Sequence, residues 1–179
     1  MENGITGLYL EKPNVDDATE AIKMINKWRE EYGGRINPGL LRKLTDNYFE
    51  WLKDINCINK IKSTEDVPQT LYFLKNSNGT IIGAVSLRHY LNQTNILDGG
   101  HVGYGIRPEY RGKGYGNIIL QLAVEKLVCM GIDKILVTCD SDNKISQKVI
   151  AHNNGILENQ AYDEDGVLIS RYWINTSLS

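Results

Sequence analysis

Between Gly103 and Gly116 the chain reads GYGIRPEYRGKGYG: five of its 17 glycines, two arginines and a proline, with almost nothing to bury. An apolar stretch with helical spacing follows at once. Glycine lets a backbone turn tightly and lets a ligand approach where a Cβ would stand. The first N–H groups of a helix have no partner inside it, and they sit at the positive end of its dipole. A strand leading into Arg111-Gly112-Lys113-Gly114-Tyr115-Gly116-Asn117 and then a helix is therefore an anion site, with Arg111 and Lys113 adding cationic charge. The chemistry this predicts is the holding of a phosphate or pyrophosphate. A plain connection needs one or two glycines, not three at alternate positions.

Two phosphate-binding patterns are excluded by spacing. The ATP-type loop G-x-x-x-x-G-K-[ST] fails because Lys113 is followed by Gly114 and Gly105 lies too far upstream of Gly112. The dinucleotide fingerprint G-x-G-x-x-G fails because the glycines here run Gly112-x-Gly114-x-Gly116.

The elements that must position this turn are legible around it. The sequence has 179 residues, 41% hydrophobic and 23% charged with net charge −2, the composition of one globular domain over 1–179. That charge argues against a nucleic-acid footprint. No apolar run is long enough for a membrane span, and no secretory signal opens the chain. Cys57, Cys129 and Cys139 are odd in number and lack metal-ligand spacing, so they read as reduced thiols in a cytoplasmic protein with no metal site. Residues 7–13 predict a strand ended by Pro13. A helix capped by Asp16 or Asp17 follows and stops at Gly33-Gly34, and 37–55 carry a second helical pattern. Residues 69–91 predict a hairpin turning at 76–79, and 96–106 another strand loosened by glycine. A mostly buried helix over 115–130, a central strand over 134–139, a short helix closed by Asn154-Gly155 and a last hairpin turning at Asp165-Gly166 complete the order. Helices on a mostly antiparallel sheet, with one strand–helix–strand crossover near 102–139, make an α/β (α+β layered) fold. His89 and His152 read as surface residues, 162–166 as a solvated turn, and the three tryptophans as core.

At GIRPEYRGKGYG the chain resembles motif A of the GNAT superfamily of acyl-CoA N-acyltransferases, an apolar strand followed by x-P-x-x-[QR]-x-x-G-x-[GA], with Arg111, Gly114 and Gly116 at the diagnostic places. The stretch CDSDNKISQKVIAHNNGILEN resembles motif B. Motif A covers about 100–130 and motif B about 134–160, and the order of elements fits from about residue 75 onward. The likeness is closest to a bacterial branch whose members are mostly without an assigned substrate.

The resemblance implies a mixed, mostly antiparallel sheet whose one parallel pair, near 102–106 and 134–139, splays to hold acetyl-CoA. It implies that the backbone of Tyr104, Gly105 and Ile106 pairs with the pantetheine arm. The amides of Gly112, Lys113, Gly114, Tyr115, Gly116 and Asn117, beside Arg111, would hold the pyrophosphate. It gives the Ile106 N–H the role of oxyanion donor, and makes Gly103 and Gly105 the relief of a bulge that opens the gap. His101, with Asp98 at the same strand's mouth, is the candidate base for the attacking amine, with water relays the alternative. Asn143 would contact the cofactor, cap its helix, or both, and Ser146, on the same helical face, would reach the cofactor or point to water. Many members carry a Tyr seven residues after that Asn as the acid; here the place is Ile150. The activity implied is acetyl transfer to a primary amine of a small molecule or peptide, in a chain that often dimerises in this family. A non-catalytic acyl-CoA sensor and another nucleotide-phosphate binder remain as alternatives.

Overall fold

The computed structural model describes residues 7–32, 36–57, 67–97 and 99–176, with Tyr32 and Cys57 described by backbone alone. The expected helix stop at Gly33-Gly34, the burial of Cys57 and the placement of Asp98 lie outside the described residues.

Seven strands form one sheet: β1 (Tyr9–Glu11), β2 (Gln69–Lys75), β3 (Ile81–Arg88), β4 (Val102–Ile106), β5 (Lys134–Asp140), β6 (Ile156–Tyr162) and β7 (Leu168–Asn175). Their spatial order is β1-β2-β3-β4-β5-β7-β6, and only the β4–β5 pair is parallel. The helices are α1 (Ala18–Tyr32), α2 (Tyr48–Cys57), α3 (Gln93–Leu97), α4 (Tyr115–Cys129) and α5 (Lys144–His152). Alternation along the strands builds two cores, one on each face. Leu71, Phe73, Ile81 and Ala84 pack with α1, α2 and the short 3-10 turn at Gly39–Lys43. Tyr72, Leu74, Val85, Leu87, Val102 and Val137 pack with α4 and α5. A strand buried on both faces carries few polar residues, as β3 (IIGAVSLR) illustrates. No helix among the described residues is long and apolar enough to cross a membrane.

The structure corrects three local expectations. The first helix is entered through Asn14, not Asp16 or Asp17. Asn14 Oδ1 accepts the Asp16 N–H at 2.9 Å, and Asp17 Oδ2 accepts the Asn14 N–H at 3.0 Å. Asp17 also turns to Lys75, whose Nζ lies 2.6 Å from Asp17 Oδ1. The pattern over 37–55 splits into the 39–43 turn and α2, because Leu44 is extended and Asn47 starts a new helix by accepting the Glu50 N–H at 3.2 Å. The stretch 96–106 is not one strand. Ile96 and Leu97 close α3, which Asn92 starts by accepting the Asn95 N–H at 2.8 Å, and Gly99 and Gly100 at φ +133° and +61° turn the chain into β4.

Candidate active site: a split between two parallel strands

β3 and β4 pair without a register break from Gly83–Ile106 to Leu87–Val102. β4 and β5 meet at Val102–Val137 alone and then part. The Arg88 N–H donates to His101 O at 2.8 Å and the Arg107 N–H to Ile82 O at 2.9 Å, so the odd-numbered residues between them bond to β3. By antiparallel alternation the backbone groups of Val102, Tyr104 and Ile106 face the other way, into the split. The Ile106 carbonyl is already met by Trp28 Nε1 at 3.2 Å and Arg111 Nε at 2.9 Å.

The unbroken register overturns the reading of Gly103 and Gly105 as relief of a bulge. They face the α1–α2 side, where residue 37 lies against the strand. A Cβ on Gly105 would stand 2.4 Å from Asn37 O and 3.2 Å from Trp28, and one on Gly103 2.8 Å from Asn37 Oδ1. Close approach of residue 37, by its backbone at Gly105 and by its side chain at Gly103, explains both without an opening of the sheet.

The glycine-rich turn leads from the open end of β4 into α4. Gly112 has φ +72°, and Gly114, at φ +83°, is the N-cap of α4 with no side-chain cap. No heavy atom lies within 4 Å of the Cβ either would carry, so backbone conformation selects glycine there while the adjoining space stays open. Gly116 serves packing: its Cβ would stand 3.1 Å from Val149 of α5. Arg111 is tied down, with NH1 2.6 Å from Glu31 Oε1 and Nε on Ile106 O. It links β4 to α1. Lys113 donates to Glu109 O at 3.1 Å and stands 5.5 Å from the centre of the Tyr110 ring. Tyr115 packs edge-on against Tyr110, and Asn117 O accepts from Asn153 Nδ2 at 3.3 Å.

On the α4–α5 face, α5 lies over the split. Asn143 is its N-cap, accepting the Ser146 N–H at 3.0 Å. Ser146 Oγ is 3.0 Å from the Tyr104 hydroxyl. Burial pushes the Tyr104 phenol up to about 12 and the Cys139 thiol up to about 11. Ile150 is fully buried in the core between α4, α5 and the sheet. The Tyr104 side chain and Cys139 were missed as site members by sequence reasoning. The signal was available: Tyr104 is two residues past Val102 and Cys139 two past Val137, so both point to the face that α5 covers.

His101 sits at the closed end of the split, 6% exposed. Its N–H donates to Leu136 O at 2.7 Å, and its Nδ1 accepts the Leu136 N–H at 2.9 Å. An Nδ1 used in this way places the ring hydrogen of the neutral imidazole on Nε2. Burial, with the Arg88 guanidinium nearby, pushes its pKa down to about 4. His89 bonds Thr70 Oγ1 at 2.8 Å. Among the described residues no group of three His, Cys, Asp or Glu could hold a metal ion.

The fold recurs in solved structures. RimL, a ribosomal L7/L12 alpha-N-protein acetyltransferase in complex with coenzyme A disulfide-linked to a cysteine, superposes with TM-score 0.70 at 16% identity over 97% of each chain. The Vibrio cholerae spermidine N-acetyltransferase, in complex with CoA and spermine, gives 0.68 at 16% identity, covering 96% of this chain and 97% of that one. The microcin C7 self-immunity acetyltransferase MccE, in complex with acetyl-CoA and AMP, gives 0.68 at 19% identity, covering 98% and 97%. No curated protein matches the sequence. The family match itself runs over residues 25–155, more than half of the chain, and takes in the split strands, the glycine turn and α5 together: the chain belongs to the acetyltransferase (GNAT) family.

Proposed function

We propose that the protein transfers an acetyl group from acetyl-CoA to a primary amine of a small molecule or peptide. The observation that carries the reading is the continuity of two features: unpaired strand backbone along the split, opening onto an uncapped helix N-terminus with two positive-φ glycines. An extended amide-bearing arm suits the first and a pyrophosphate the second, and acetyl-CoA has both at the right ends.

In this reading the Tyr104 backbone pairs with the pantetheine arm, and Gly112 to Gly116 offer amides to the pyrophosphate, while the Asn117 N–H stays on Gly114 O at 3.0 Å and the Ile106 carbonyl on Trp28 and Arg111. The deprotonated amine attacks the thioester carbonyl carbon. The Ile106 N–H stabilises the oxyanion, and collapse breaks the C–S bond with its electron pair going to sulfur. We assign deprotonation of the amine to water rather than to His101, because the His101 Nδ1 lone pair is engaged by Leu136 and Nε2 carries the hydrogen. His101 then holds the closed end of the split. Asn143 acts as helix cap, and Ser146 reaches toward the acyl end of the cofactor.

The relatives acetylate different acceptors, a protein α-amine in one and a polyamine in another. The test is acetyl-CoA turnover across amino acids, polyamines, aminoglycosides and peptides, read by free thiol release. Saturable turnover on one class supports the reading. Equal affinity for CoA and acetyl-CoA with no turnover would replace it with a sensor module. A melting shift with ATP or NAD but not acetyl-CoA would replace it with a different nucleotide-phosphate binder.

A second copy of the chain is proposed to dock on β6. This edge strand is exposed along all seven residues, with Ile156 68%, Leu157 48% and Tyr162 74% exposed. Light scattering of the wild type and of Ile156→Lys tests it, and a monomeric wild type removes the idea.

A further inference from the structure

Four strands bring one row of residues to the face away from α5, level with the first open step of the split. Ser86 of β3 pairs with Gly103 of β4, and Thr138 of β5 pairs with Arg171 of β7. One residue beyond the Val102–Val137 pair, Gly103 comes level with Thr138. Tyr104 and Val137 pack toward α4 and α5, so Ser86, Gly103, Thr138 and Arg171 point the other way, to the side where Ala84 packs with α1 and α2. That core draws its strand residues from β2 and β3, and Thr138 beyond it is only half-buried.

Gly103 leaves a gap in this row, and two side-chain oxygens face it. The place of a Gly103 Cβ is 2.8 Å from Asn37 Oδ1 and 3.4 Å from Ser86 Oγ, so one nitrogen above the strand can reach both. Thr138 brings a hydroxyl to the same level across the split. Among the described residues none of these three side chains takes part in a hydrogen bond. Ser86 is buried and Asn37 is exposed. With α5 over the opposite face, an acceptor reaches the acyl end of the arm from this side.

The cradle is neutral. On this side Glu20 and Glu31 of α1 are paired with Arg107 and Arg111, Glu158 is paired with Arg171, and Asp140 lies at the exposed end of β5. Arg88 shares the face two residues beyond Ser86, and after burial its guanidinium is the next cause of the lowered His101 pKa. An ammonium ion at Gly103 therefore meets a cationic neighbourhood without a carboxylate of its own. A neutral amine finds oxygens for both of its hydrogens and keeps its lone pair for the thioester carbonyl; the proton released after attack passes to water.

We propose that Asn37, Ser86 and Thr138 form the acceptor site, and that it takes an amine of low basicity, the α-amine of a peptide, in preference to a lysine side chain or a polyamine. The inference rests on the acetyl transfer proposed above. At pH 7 roughly one peptide α-amine in ten is neutral, against about one lysine side chain in two thousand. A carboxylate in the site would offset that difference by stabilising the ammonium ion; three neutral oxygens do not.

The experiment offers one peptide in two forms, the first with a free α-amine and a formylated lysine, the second with a blocked N-terminus and a free lysine, together with spermidine. Free thiol release is the readout. Wild type should favour the α-amine form by at least about tenfold in kcat/KM at pH 7, and the ratio should narrow toward pH 9 as lysine loses its proton. Ser86→Ala and Thr138→Val should each lower kcat/KM for the α-amine form by roughly three- to tenfold with KM for acetyl-CoA unchanged. Asn37→Asp places a carboxylate over Gly103 and should bring the two forms within about threefold of each other at pH 7, a change of selectivity that loss of structure does not produce. A wild type that prefers the lysine form or spermidine, turnover on none of the three amines, or a selectivity unchanged in both Asn37→Asp and Thr138→Asp overturns this inference and leaves the acetyltransferase reading intact. Failure of acetyl-CoA to bind the wild type overturns both.

Discussion

His101 and Leu136 close a ring of two hydrogen bonds: the His101 N–H to Leu136 O at 2.7 Å, and the Leu136 N–H to His101 Nδ1 at 2.9 Å. A side chain takes the place of a backbone carbonyl one residue before the Val102–Val137 pair, at the closed end of the split. The imidazole thereby starts the ladder from which the strands part.

Replacing His101 with Ala leaves the Leu136 N–H buried without an acceptor, at a cost of about 1–3 kcal/mol. Asn retains a carbonyl acceptor at nearly the Nδ1 position, so His101→Asn should recover most of that loss in urea unfolding. With water as the base, His101→Asn should also keep turnover within about tenfold of wild type from pH 6 to 9. A folded variant slowed by the 10²–10⁴-fold typical of one lost acid–base group would return the base role to His101.

The same residue predicts a pH dependence of stability. Its pKa is lowered on folding from 6.5 to about 4, so between those values the unfolded chain binds a proton that the folded chain does not. Stability from this group is complete above pH 6.5 and is lost as pH falls toward 4, by at most about 1.4 kcal/mol per pH unit. Wild type should therefore lose more Tm than His101→Asn between pH 7 and 5. Parallel curves for the two proteins would contradict the assignment.

Gly114→Val forces a β-branched residue to φ +83°, which costs roughly 1–2 kcal/mol from backbone strain. Gly114→Asn is better tolerated in that conformation and fills the same open space. Both should weaken acetyl-CoA at least tenfold in calorimetry, Asn with the smaller loss of Tm. Unchanged affinity in the folded Asn variant would remove the pyrophosphate site from this turn.

Gly103 and Gly105 separate two kinds of crowding. At Gly105 the new methyl meets the backbone oxygen of Asn37, and at Gly103 only the end of the Asn37 side chain, which can turn away. Gly105→Ala should destabilise by roughly 1–3 kcal/mol and Gly103→Ala by clearly less. Thermal melts in the reverse order would show that residue 37 does not set the requirement.

Ile150→Tyr tests the place where the resemblance implies a Tyr acid. Ile150 is fully buried, so the larger ring should lower stability by roughly 1–3 kcal/mol through overpacking. A rise in kcat without loss of Tm would mean that this side of α5 faces the cofactor sulfur.

The sheet, its one parallel crossover and the glycine turn were legible because period and punctuation encode them directly: β-rich runs in 69–88, KILVTC, and glycines where φ is positive. Helix starts at Asn14 and Asn47 were misplaced, and the short helix begun at Asn92 was missed, because each start rests on side-chain hydrogen bonds that neighbouring Asp, Thr or Asn residues mimic in sequence. The roles of Gly103 and Gly105 were hidden because the atoms that crowd them come from residue 37, more than sixty positions away. His101 looked like a base because residue type gives a pKa near 6.5; only burial and the Leu136 N–H reveal a different environment. The Tyr104–Ser146 contact joins elements 42 residues apart and needed the folded chain.

The single β4–β5 pair has a mechanical consequence. A ladder lets one strand resist the sliding of the next, and here that resistance ends at Val137. The seven strands behave as a four-strand slab and a three-strand slab sharing a short seam, held together mainly by the helices across it. In the proposed reaction an extended cofactor seated along the seam would act as mortar between the two slabs, and its departure would loosen the frame of the sheet rather than a surface loop alone.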